Sequence, residues 1–155
     1  MYIFTIHATK KSAKWLKKYN IDRQALGAAL SLLVAEVYPT IKVQCRLLTI
    51  QLVPNSDESQ YFFRTDKIYI GETVCEENSY EKQQHIIFDH FLHEFRHWMQ
   101  SRIYKIGVRD IQYTGEDVEN NTNAYYRSKL EIDARQFVRH YLKKFIKYYE
   151  NFKKN

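Results

Sequence analysis

Residues 86–99 read Ile-Ile-Phe-Asp-His-Phe-Leu-His-Glu-Phe-Arg-His-Trp-Met. At about 100° per residue, Ile87, Phe88, Phe91, Leu92, Phe95, Trp98, Met99 and Ile103 fall in one broad sector, the core face of an amphipathic helix. His90, His93, Glu94 and His97 fall in the opposite sector. The chain has 24 Lys and Arg against 18 Asp and Glu, so a solvated face here is expected to carry Lys or Arg. It carries three histidines and a carboxylate instead. His93 and His97, four residues apart, project close enough together to ligate one metal ion, and Glu94 can reach a water bound to it. The bland alternative is a solvated polar face, but spacing, helix context and face all favour the HExxH site of a zinc hydrolase, with one zinc per chain.

Working outward, Asn78 and Glu81 have the form of a capped helix start and Gly107 is placed to end the helix. Upstream, Tyr2 to His7 reads as a short strand. Thr9 opens a basic helix to about Tyr19, and Asp22 caps a second with the stripe Leu26, Ala29, Leu30, Leu33, Val34 and Val37 before Pro39. From Ile41 to Val53 a strand is expected, with a phase change at Leu47-Leu48 that implies a bulge or burial on both faces. Tyr61–Arg64 and Lys67–Ile70, joined around Thr65-Asp66, read as a hairpin.

After a polar connection, a last helix runs from about Thr122 to near residue 150, its apolar face formed by Leu130, Ala134, Phe137, Val138, Tyr141, Leu142, Phe145 and Tyr148. A catalytic zinc takes three protein ligands and leaves a position for water. Glu131 falls within this apolar sector, whereas Asp133 falls well outside it. Glu131 is therefore the expected third ligand. It could otherwise pair with Arg127 or Arg135 one turn away, and Glu116 and Glu119 are reserve ligands on the preceding loop. His90 could compete for metal, contact substrate or hydrogen-bond at the cleft, and the last is expected.

Composition sets the wider bounds. A chain of 155 residues with 45% hydrophobic residues, four Gly and two Pro is expected to form one ordered domain over residues 1–155. No apolar run approaches the roughly 18 residues of a membrane span, and no signal segment opens the chain, so a cytoplasmic location is expected. Cys45 and Cys75 lack CxxC spacing and are expected to be reduced. The net charge of +6 and thirteen tyrosines invite a nucleic-acid partner. The lysines at 10–18 and 143–154 are more simply solvated helix faces.

HExxH followed on a later helix by Glu131-Ile132-Asp133-Ala134-Arg135-Gln136-Phe137 resembles the glutamate-ligand zinc metallopeptidases, the gluzincins. The closer likeness is to compact bacterial and phage zincin-like proteins of the ImmA/IrrE type, chiefly over residues 85–140. The resemblance implies an α+β minimal zincin domain: a small, mostly antiparallel sheet, N-terminal helices, a central HExxH helix and a long C-terminal glutamate helix. It also implies a peptide or protein substrate, hydrolysed with Glu94 as general base, and a hairpin edge around Tyr61–Ile70 for an extended peptide. Many members carry Asp four residues after the ligand Glu, where this chain has Arg135. The groups around the metal must then be arranged differently, with Asp89 one turn before His93 a candidate to orient that imidazole or simply a solvated residue. Tyr125, Tyr126 and Arg135 are the candidates for stabilising a developing oxyanion. The alternative to a peptidase is a catalytically silent zincin-like protein that binds a protein or nucleic acid.

Overall fold

The computed structural model describes residues 1–72, 80–106 and 122–154, with side chains from 82 onward in the third helix and over 129–153 in the fourth. These residues form an α+β arrangement in the order β1 (Tyr2–Ala8), α1 (Lys10–Lys18), α2 (Arg23–Val37), β2 (Gln44–Val53), β3 (Gln60–Phe62), β4 (Lys67–Gly71), α3 (Tyr80–Arg102) and α4 (Thr122–Lys154). Thr9 and Asp22 cap α1 and α2 as expected, accepting the N–H of Ser12 at 3.4 Å and of Ala25 at 3.0 Å. Asn78 and Gly107, the expected ends of the HExxH helix, lie outside the described residues, as do Cys75, Glu116 and Glu119; the side chains of Glu81 and Arg127 do too.

The sheet order is β1-β2-β4-β3, with β1–β2 and β2–β4 parallel and β3–β4 antiparallel. Two of the three pairings are thus parallel, which corrects the expected antiparallel majority. Alternation looks the same in either polarity, and the connections decide it. The path from β1 to β2 includes two helices, enough for a parallel crossover. The chain then passes from β2 to the outer edge as β3 and returns as β4 beside β2.

β2 pairs with β1 in unbroken register from Tyr2↔Gln44 to Ala8↔Ile50, so it has no bulge in this run. Leu48, Ile50 and Leu52 point into the core, while Leu47 is 59% exposed on the opposite face. The apparent phase change is an apolar residue on an open face. Ile41 and Val43 precede the strand and are also exposed.

The inner face of the sheet meets α3. Phe4 makes edge contacts with Phe95 and Trp98 at ring-centroid distances of 5.3 and 5.1 Å. Phe88 joins α3 to α4 through Phe145 and Tyr149, at 5.7 and 4.8 Å. Tyr149 is fully buried and Tyr148 only partly, a one-residue correction to the expected stripe. Each such aromatic contributes about 1.5–3 kcal/mol by burial, and together they fix the rotation of α3. α2 covers the free edge of β1: Ser31 Oγ accepts the Phe4 N–H at 3.0 Å and donates to the Gly27 carbonyl at 2.9 Å. A Cβ on Gly27 would sit 2.5 Å from the Phe4 carbonyl oxygen, so this approach requires glycine.

Candidate metal centre

With its aromatic face locked against the sheet and α4, α3 turns His93 and His97 toward Glu131 of α4. His93 Nε2 lies 2.8 Å from Glu131 Oε2, and His97 Nε2 lies 2.9 Å from Glu131 Oε1. One carboxylate from the second helix therefore bridges both imidazoles of the first. The hydrogen bonds from His93 and His97 hold the Glu131 carboxyl far below the usual carboxylate range, against a smaller opposing effect of burial.

The His97 ring is oriented from behind. His97 Nδ1 is 2.8 Å from Gln100 Oε1, and the Gln100 amide nitrogen donates to Asp133 Oδ2 at 2.8 Å and to the Leu130 carbonyl at 3.1 Å. Because both Gln100 donor bonds run to oxygens, its Oε1 is the atom that faces His97, and Nδ1 must carry the proton. Nε2, the nitrogen facing Glu131, is then the lone-pair position of a neutral imidazole. A lone pair and a carboxylate 2.9 Å apart attract only with a cation between them, either a proton or a metal ion. Burial opposes charging His97, but its hydrogen bonds to Glu131 and Gln100 outweigh this and raise its pKa. Asp133 is held in turn by Arg96, whose Nε donates at 2.9 Å. The Arg96 guanidinium lies 4.7 Å from the Phe137 ring centroid.

Glu94 is 6% exposed, and burial raises its pKa above that of an ordinary glutamate, against the nearby imidazoles and a hydrogen bond from the Tyr61 backbone. That bond brings β3 alongside the site. The β3–β4 turn is tied to the end of α3, with Asp66 Oδ1 accepting from Tyr61 Oη at 2.8 Å and from Arg102 Nε at 2.9 Å. Between β3 and α3 opens a cleft of about 610 Å³ whose walls include Ser59, His90, Glu94 and Glu131.

The fold brings together His93, Glu94, His97 and Glu131. His90 hydrogen-bonds at the cleft through Nδ1, 2.9 Å from Ser59 Oγ, and burial lowers its pKa. Asp89 is exposed on the cleft wall and has no hydrogen bond to His93 among the described residues. Arg135 is exposed and does not line the cleft. Four residues advance a helix by about 40° beyond a full turn, which carries Arg135 past the edge of the buried stripe. Tyr125 and Tyr126 are in the first turns of α4, where the side chains lie outside those described.

Sequence reasoning missed Gln100, Asp133, Arg96 and the Tyr61 backbone. Gln100 had a signal, since seven residues after His93 is almost two full turns and the same helix face. Asp133 had none: it stands at the opposite edge of the α4 stripe from Glu131 and reaches α3 only because of how the two helices cross.

The donor set fits zinc. Two imidazole nitrogens and one carboxylate are a catalytic zinc ligand set, and a tetrahedral ion with bonds of about 2.0–2.2 Å holds its ligands roughly 3.3 Å apart. The 2.8 and 2.9 Å contacts need open only slightly to admit it. His93, Glu94 and His97 also place ligand atoms within 4.8 Å of one another. Glu94 is nevertheless the less suitable ligand, because among the described carboxylates Glu131 hydrogen-bonds both imidazoles. No protein-family model, curated protein or solved structure matches this chain.

Proposed function

We propose that this chain is a zinc-dependent peptidase of the compact gluzincin type, with His93, His97 and Glu131 as metal ligands and Glu94 as general base. The observation that carries this reading is the convergence of both imidazole Nε2 atoms on one carboxylate, with a second, buried carboxylate beside them. Zinc, when bound, supplies a water of lowered pKa and polarises the substrate carbonyl. Glu94 would take a proton from the attacking water and return it to the leaving amine, a role suited to a carboxylate whose affinity for protons is raised by burial. Gln100 and Asp133 keep His97 in the tautomer that presents Nε2. β3 offers an extended peptide a strand edge beside the site. No described helix is long and apolar enough to cross a membrane, and a cytoplasmic setting suits the free, exposed Cys45.

The test is hydrolysis of a random peptide library by zinc-loaded protein, read by mass spectrometry, beside Glu94→Gln. The proposal expects cleavage that falls about 100-fold or more in the variant while zinc content is unchanged. Cleavage that survives Glu94→Gln, or a zinc-loaded protein that cleaves nothing in the library, would contradict it.

A further inference from the structure

A second cavity, of about 490 Å³, lies where the α1–α2 turn meets the end of α4. Its rim carries Lys10, Lys14 and Lys17 of α1, Arg23 of α2 and Lys153 of α4, with Asp22 the one carboxylate among the described lining. Basic residues from near both ends of the sequence therefore meet at one place. The meeting is built: Lys153 Nζ donates to the Asn20 carbonyl at 3.0 Å, and the Asp22 N–H donates to Tyr149 Oη at 2.9 Å. Asp22 Oδ1 is already occupied in capping α2, and none of the five cations forms an ion pair among the described residues. Lys153 is roughly 33 Å along the α4 axis from Glu131 at 1.5 Å per residue, so this cavity is separate from the metal centre.

We infer that this basic cavity docks the phosphodiester backbone of nucleic acid without reading its sequence. Lys10, Lys14 and Lys17 form a row about 10 Å long on one helix face, the rise of roughly three phosphates along one strand. The described lining has no aromatic ring on which a base could stack. The floor is aliphatic, with Leu16 and Ile21. Charge and spacing are what the site offers, and a phosphate backbone matches both. The inference does not depend on the peptidase reading, and zinc-loaded and chelator-treated protein bind alike.

The experiment is fluorescence anisotropy with a labelled 20-base-pair DNA duplex, titrated with full-length protein between 50 and 200 mM salt. With five phosphates neutralised, log Kd should change with log salt at a slope of about 4.5. Lys10→Ala/Lys14→Ala/Lys17→Ala should weaken binding about tenfold or more at 50 mM salt and lower that slope by about 2.7. Lys143→Ala/Lys147→Ala, which removes exposed charge from outside the cavity, should change Kd less than twofold, and circular dichroism should show all variants folded. The inference is overturned by absence of binding at 50 mM salt or by equal loss in the two variants. It is equally overturned if tripolyphosphate displaces the duplex at matched phosphate concentration, which would mark a compact oligophosphate site.

Discussion

On α3, Phe91, Phe95 and Trp98 are buried to 1% exposure or less against the sheet and α4, whereas His93 and His97, interleaved with them, keep 18% of their side chains exposed at the cleft. The two faces do different jobs. The aromatic face supplies stability and fixes the rotation of the helix. The polar face gathers two imidazoles and two carboxylates, an arrangement that gains little by itself and persists because the opposite face holds it. Stability should therefore follow the aromatic face, and metal affinity the polar one.

Phe95→Ala should give the largest loss of stability, about 3–5 kcal/mol, measured by urea unfolding, while the folded fraction at low temperature keeps its zinc stoichiometry. A loss below about 1 kcal/mol would break the comparison. Gln100→Leu comes next and should act the other way round. It removes the acceptor that fixes the His97 tautomer and should weaken zinc binding about 10- to 100-fold, read by competition with a chromogenic chelator, while the hydrogen-bonding groups left without partners cost about 1–3 kcal/mol in unfolding, less than Phe95→Ala.

A smaller effect is expected from pH in chelator-treated protein. The folded pKa of Glu131 is lowered, so its contribution to stability is present above about 4.5 and lost as pH falls through the folded value. The folded pKa of His97 is raised, so its contribution is present below about 6.5 and lost as pH rises through the folded value. The contact thus stabilises most between these two limits and fades as pH rises above about 6.5. Glu131 is 47% exposed in its side chain, so solvent screening keeps the effect under about 1 kcal/mol. Zinc needs neutral imidazoles, so its affinity should rise over the same alkaline range. Thermal melts at pH 5.5 and 8, with and without zinc, should show these opposite trends; parallel trends would contradict the shared role of His97. Arg135→Ala should have the smallest effect, within about 0.5 kcal/mol in stability and under twofold in zinc affinity, because Arg135 faces solvent.

Part of this division was legible in the sequence. The periodicity of α3 placed Phe88, Phe91, Leu92, Phe95, Trp98 and Met99 in the core and His93, Glu94 and His97 together, because a helix converts spacing into direction with no help from its neighbours. The same rule placed Glu131 on the inward side of α4. The sheet was legible in its strands but not in its polarity, since β1, β2 and β4 show which residues are buried and not which way the partner runs. Asp133 and Arg96 were illegible for a related reason. Their contact, Arg96 Nε to Asp133 Oδ2 at 2.9 Å, depends on the crossing of α3 and α4, which neither helix encodes alone. Asp133, two residues after Glu131, acts on His97 through Gln100.

The most direct measurement is zinc content by elemental mass spectrometry on the native protein after reconstitution, beside His97→Ala and Glu131→Ala. The account predicts one zinc per chain, lost or sharply weakened in both variants while circular dichroism shows both folded. A native protein that takes up no zinc, or a Glu131→Ala variant that holds it as tightly as the native chain, would contradict the three-ligand centre.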